Sequence, residues 1–327
     1  MFDNRLLRQS LLLTCSLVAC GELAAQVRVA DSEKDAAYDC IAPPQLDALR
    51  SRAEELARDT YDKNKLGCAA DLWFKLVKTR SSDVASLLSA TSTEVNYIEK
   101  VNTLWDFDLY GIRAPEWSAR LLHATQQGDA LVSQLASSAP NDPAALTLRA
   151  RYAVAWSSKQ ADGTKISAEA HRAIQLLLTA VAKDPRTMDG GALLALGRLY
   201  YELPEFDGGD VAKALATLER ARTLAPNSQD VLGYLAYVYQ ETGRREDAVG
   251  TLRALLRTDP ETADLQQSAD QLRNARDLSK RIGEEQLAGQ LDAKRARLLA
   301  AHPQLLTRAP TAANMHGGVD PITGKEY

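Results

Sequence analysis

Histidine is the first shortage in these 327 residues: there are four, His123, His171, His302 and His316, with no carboxylate or cysteine at ligand spacing. No His-Glu-x-x-His motif can be written from them, and each reads as a solvated helix or tail residue. A Gly-x-Ser-x-Gly elbow, a phosphate loop and a dinucleotide fingerprint are missing as well. The chain is therefore read as a non-enzyme with no cofactor and no metal. A buried, pKa-shifted carboxylate pair in a cleft would be the structural sign against that reading. Excess positive charge is also lacking, with 39 Lys and Arg against 43 Asp and Glu for a net charge of −4. A phosphate-binding surface needs a concentrated cationic stripe, so nucleic acid drops out as a partner. The apolar run near the start is too short to cross a bilayer as a permanent helix, and no later stretch approaches that length. Glycine is sparse at 18 residues and β-branched runs are short, while apolar content is an ordinary 45%. Helix is the expected secondary structure.

What is present at the start is an address. Arg5 and Arg8 precede an apolar run over Leu11 to Ala19, the charge-then-apolar order of a bacterial secretory signal. The run ends in Leu17-Val18-Ala19-Cys20, which resembles a lipobox with Cys20 as the lipidation site. Ordinary cleavage after Ala25 is the competing reading, but Leu23 fits the small-x-small pattern poorly. Several acyl groups on Cys20 would meet the requirement of two membrane signals for stable anchoring. Gly21 after the cysteine, in place of Asp, favours the outer membrane by analogy with enterobacterial sorting. The expectation is thus an exported chain on the periplasmic face of the outer membrane, held by lipid alone, with residues 1–20 as signal and 21–43 as a polar tether.

Removing Cys15 with the signal and Cys20 to lipid leaves Cys40 and Cys68 as an even pair for an oxidising compartment. A single helix over Leu46 to about Tyr61 places them roughly 25 Å apart at 1.5 Å per residue, whereas a disulfide tolerates about 7 Å between Cα atoms. The bond requires the Cys40 segment to fold back along a hairpin, and both outcomes stay open.

The rest of the chain repeats itself. Gln229 to Pro260 reads Leu232-x2-Leu235-Ala236-x2-Tyr239, then Ala248-x3-Leu252, then Pro260, with Gly243 between the two helices. The preceding unit reads Leu193-x2-Leu196-Gly197-x2-Tyr200, then Ala214-x3-Leu218, Ala221 and Pro226, with a longer turn supplied by Glu202 to Asp210. A third ends in Ala173-x3-Leu177, Ala180 and Pro185 after a looser first helix over Ala144 to Trp156. Small residues let two antiparallel helices approach, large ones fill the seam, and proline stops the second helix. In Asp207-Gly-Gly-Asp210 the glycines shape the turn and Asp210 caps the helix that begins at Val211.

These spacings resemble the 34-residue tetratricopeptide repeat, which implies an all-α solenoid of antiparallel helical hairpins. The organisation expected is a divergent hairpin region over 44–140, tetratricopeptide repeats over 141–262, capping helices over 263–302 and a flexible tail over 303–327. More narrowly, Gly191 to Tyr201, Leu203-Pro204 and Gly208-Gly209-Asp210 are similar to TatT, the lipoproteins associated with tripartite (TRAP) transporters. That resemblance implies an accessory role beside a periplasmic solute-binding protein, with a small apolar ligand. The broader one implies a scaffold that binds an envelope protein or peptide.

In such a solenoid the first helices line the concave face. Residues one step off the seam there are Arg198, Tyr201, Glu202, Tyr237, Gln240 and Glu241, and Tyr and Arg are enriched at binding hot spots. For Tyr201 and Tyr237, packing between hairpins is an equal reading. Trp105, Phe107, Tyr110 and Trp117, on a segment broken by glycine and proline, are a second candidate for ligand or protomer contact, set against pinning a loop to the core.

Overall fold

The computed structural model describes residues 40, 42–43, 45–58, 63–79, 83–103, 115–157, 163–260 and 264–303. Twelve α-helices form in them, each paired with its sequence neighbour as an antiparallel hairpin. The pairs are α1 (Leu46–Ala57) with α2 (Lys63–Thr79), α3 (Val84–Thr103) with α4 (Pro115–Ser138), and α5 (Pro143–Ser157) with α6 (Gly163–Lys183). They continue as α7 (Gly191–Glu202) with α8 (Val211–Leu224), α9 (Gln229–Glu241) with α10 (Arg245–Arg257), and α11 (Leu265–Arg281) with α12 (Glu285–Ala301). No strand occurs among the described residues. The fold is all-α, a tetratricopeptide-type solenoid.

The repeat spacing works as anticipated in α7 to α10. Leu232, Leu235 and Ala236 of α9 and Ala248 and Leu252 of α10 are fully buried, and Tyr239 is buried beside them. The turn between them needs the left-handed conformation that glycine supplies, with φ of 74° at Gly243, and Arg244 N–H returns to the Tyr239 carbonyl at 2.8 Å. At Gly197 of α7 the approach of α8 is closest: an added Cβ would lie 2.6 Å from Leu218 Cγ. Asp210 does cap α8, its carboxylate accepting from Lys213 N–H at 2.9 Å. That backbone bond leads the effects that hold its pKa below the ordinary value.

Core clusters follow the stack end to end. One joins α1 to α5 through Leu49, Trp73 and Leu135, the next α5 to α10 through Leu177 and Leu218, and the third α9 to α12 through Leu232, Leu272 and Leu291. Each hairpin buries its apolar face on its neighbours, as a quasi-one-dimensional fold requires. Phe74 packs at the edge of the first cluster, half-buried, with Trp73 inside it.

Three features depart from the sequence reading. Helix α3 has no repeat signature, yet it is among the most enclosed elements, with Ala90, Thr91, Val95 and Ile98 fully buried. Its threonines disguise it: Thr91 and Thr93 send their hydroxyls back to the carbonyls of Leu87 and Ser89, at 2.8 and 2.9 Å, and so enter the core without orphaned polar atoms. Second, α1 stops at Ala57 and α2 starts at Lys63, so Cys68 lies on the returning helix. Cys40 folds back onto it and the two form a disulfide, with Cα atoms 5.6 Å apart. Third, His123 is not solvated but half-buried, 3.1 Å from Asp71. Cys20, Trp105, Phe107, Tyr110 and the tail beyond residue 303 lie outside the described residues. Trp117 falls in the first turn of α4, but its side chain lies outside them too.

Candidate functional site

Of the six first helices, α3, α5, α7, α9 and α11 stack in a row, each touching the next, while α1 packs on α2. The row bends until its ends meet. Lys100, in the last turn of α3, forms a 2.6 Å ion pair with Asp264, the N-cap of α11. Asp264 serves both elements at once, because its other oxygen accepts from Gln267 N–H at 2.9 Å. A row of helices whose end members are joined by an ion pair is curved, and has a concave inner face.

Arg198, midway along that face, lies over the Tyr234 ring at 4.9 Å and 3.6 Å from the Glu202 carboxylate. Tyr234 donates its hydroxyl to Glu202 at 2.8 Å and meets the Tyr201 ring edge-on at 6.4 Å. Tyr201 in turn donates to Glu241 at 3.1 Å. Neighbouring helices add parallel links: Arg151 of α5 bonds Glu99 and Asn96 of α3 at 2.6 and 2.9 Å, and Asp230 of α9 accepts from Gln267 and Gln271 of α11 at 2.9 and 2.7 Å. Burial in the curve disfavours the charged Arg198. Tyr234 and the carboxylates of Glu202, Glu99 and Asp230 outweigh it, so its pKa lies above the ordinary arginine value. Its side chain is still 45% accessible, which places it on a wall and not in a core.

Of the six residues expected on this face, five join such contacts. Arg198, Glu202 and Glu241 are exposed partners in the network. Tyr201 is buried to 8% exposure, so it packs between hairpins while its hydroxyl reaches the face. Tyr237 is half-buried, its ring under Arg281 at 5.3 Å and its hydroxyl donating to the Asn274 carbonyl at 3.2 Å. Gln240 is exposed, with no side-chain partner among the described residues. Sequence reading missed Tyr234 and Asp230. The signal was helical spacing: Asp230, Tyr234, Tyr237 and Glu241 recur at i, i+4, i+7 and i+11 on one face.

A second polar cluster lies deep in α2, α3 and α4. Gln127 donates to Asp71 at 2.8 Å, and His123 Nε2 lies 3.1 Å from the same oxygen. Beside them Glu94 is 1% exposed, and neither carboxylate oxygen has a hydrogen-bond partner. Burial, and then the charge of Asp71, pushes its pKa well above the ordinary glutamate value. Glu94 is thus a buried carboxyl with a raised pKa under the influence of Asp71, enclosed at 1% exposure. Among the described residues no three His, Cys, Asp or Glu side chains are grouped to hold a metal, and no helix is long and apolar enough to cross a membrane.

Residues 205–272 match the tetratricopeptide repeat family. These residues carry tetratricopeptide repeats. Its solved structural neighbours include a thermophilic TPR protein of Thermus thermophilus, with 17% identity, 73% of this chain and 99% of that one covered, and a TM-score of 0.47. YrrB, a TPR protein with an unusual peptide-binding site, aligns at 14% identity over 73% of this chain and 97% of its own, with a TM-score of 0.37. MamA aligns at 17% identity over 59% and 87%, with a TM-score of 0.36. No curated protein matches the sequence. Tetratricopeptide-repeat proteins are typically non-enzymatic scaffolds that bind proteins or peptides on extended concave surfaces.

Proposed function

We propose that this protein is a non-catalytic scaffold of the cell envelope, anchored by lipid at Cys20, whose inner face holds an extended segment of a partner protein. The observation that supports it is the linked set Arg198, Tyr234, Glu202, Tyr201 and Glu241, which spans two consecutive repeats on the concave side. Arginine and tyrosine on a rigid helical wall are the side chains that dominate measured interfaces.

The binding half is tested by a photo-crosslinking residue at Gln240, on the inner face, and at Gly250, on the exposed side of α10. The expected result is a discrete adduct at Gln240 only, lost in Tyr234→Ala. Equal adducts from both positions would count against the inner face. Identification of the adduct as a solute-binding protein would turn the reading toward the transporter accessory that the TatT resemblance implies. The address is tested separately by labelling with a fatty-acid analogue, where Cys20→Ala is expected to abolish the label. Retained label in that variant would remove the anchor.

A further inference from the structure

On the opposite side from the inner face, between the second helices α10 and α12, lies a cleft of about 660 Å³. Leu256, Pro260, Ala293 and Leu298 supply apolar lining, and Arg257, Lys294 and Arg297 carry its positive charge, with Asp259 as its carboxylate. Lys294 is already committed. Its ammonium donates to the Leu256 carbonyl at 2.8 Å and to the Thr258 carbonyl, closing the C-terminal end of α10. Burial lowers its pKa against the pull of Asp259.

The two arginines are in a different position. Arg257 and Arg297 are exposed, and neither has an ion-pair or hydrogen-bond partner among the described residues. Most other arginines of the same hairpins are matched, Arg245 and Arg253 to Glu284, Arg244 to Glu219 and Asp247, Arg273 to Asp270 and Arg276 to Asp277 and Asp292, while Arg281 lies over the Tyr237 ring and the Arg295 Nε is buried without a hydrogen-bond partner. In a chain of net charge −4, two exposed guanidinium groups without an acidic partner among the described residues line one cleft with an apolar floor. Guanidinium groups bind carboxylates bidentately.

We infer that this cleft is a second docking site, which takes a short segment of a partner protein carrying acidic residues next to apolar ones. The charge complementarity selects the acid, and the recessed floor selects the apolar neighbour. A bilayer fits poorly, because docking on lipid needs projecting apolar side chains. Among the described residues the large exposed ones are Leu122, Leu178, Met188 and Phe206, none of which lines the cleft. The cleft is open to solvent, which suits a segment lying across it more than an enclosed ligand.

The probe is a fluorescein-labelled acetyl-Asp-Leu-Asp-Leu-Glu amide, compared by anisotropy with acetyl-Lys-Leu-Lys-Leu-Lys amide and by co-sedimentation with phosphatidylglycerol vesicles. Wild type is expected to bind the acidic peptide alone, with affinity falling as salt rises. The double variant Arg257→Gln with Arg297→Gln and the cleft-filling variant Ala293→Trp should each weaken it at least tenfold. Tyr234→Ala on the inner face should leave it unchanged. Loss in the arginine variant without loss in Ala293→Trp means attraction to a charged surface and overturns the cleft. Equal binding of the basic peptide, binding that moves to the vesicles, or wild-type affinity in both variants overturns it too.

Discussion

Glu94 offers the sharpest test of the packing around α3, because its cost is written in pH. The side chain is 1% exposed with neither oxygen hydrogen-bonded, and its folded-state pKa is pushed well above the ordinary 4.5 by burial first and by Asp71 second. The sign follows from linkage. Below pH 4.5 the carboxyl is protonated in both states, so folding neither releases nor takes up a proton there. Above it the unfolded chain ionises while the folded chain does not, and stability falls by up to about 1.4 kcal/mol per pH unit until the folded-state value is reached. Glu94→Gln keeps the shape and cannot ionise, so it should match wild type near pH 4 and become the more stable protein as pH rises. Glu94→Met also removes the unsatisfied polar atoms, worth about 1–3 kcal/mol when buried, and should exceed wild type at every pH. Urea unfolding of the three proteins at pH 4, 5, 6 and 7 measures both effects. A gap between wild type and Glu94→Gln that stays constant across that series would refute the buried, protonated carboxyl.

The disulfide should be worth about 3–4 kcal/mol for a sequence separation of 28; Cys68→Ser is expected to lose most of that in urea unfolding, and reductant should bring wild type down to the variant. Two glycines give opposite expectations. Gly197→Val drives a side chain into Leu218, already 2.6 Å from an ideal Cβ, and should cost about 2 kcal/mol of thermal stability. Gly250, mid-helix in α10 with nothing within 4 Å of an added Cβ, should gain roughly 0.5–1 kcal/mol on mutation to alanine.

The hairpins from α7 to α10 were readable because their information is local. Small residues at Gly197, Ala214, Ala236 and Ala248 and large ones between them state which helices touch, and proline and glycine state where each stops. Helix α3 was not readable for the opposite reason: it is enclosed on several sides, so it shows no apolar stripe against a polar one, and threonines hold core positions. On the site, Arg198 and Glu202 could be placed by register alone. The closure between Lys100 and Asp264 could not, since it depends on small rotations accumulated from hairpin to hairpin and on no local motif.

That closure also bears on which residue should dominate binding. The charged groups named on the inner face are already satisfied: Arg151 by Glu99, Arg198 by Glu202, Asp230 by Gln267 and Gln271, and Lys100 by Asp264. A partner segment entering the face exchanges these bonds for its own, and such exchanges contribute only about 0.5–1.5 kcal/mol each. The rings of Tyr234 and Tyr237 are covered in part by Arg198 and Arg281, but both are only half-buried, and the apolar surface left open contributes at about 25 cal/mol per Å² when a partner covers it, so these rings are expected to be the larger source of affinity. Tyr234→Ala should therefore weaken the Gln240 adduct more than Arg198→Ala does, even though Arg198 carries the charge. If Arg198→Ala proves the more damaging, the partner is recognised by its carboxylates, and the aromatic wall serves only to hold neighbouring repeats in register.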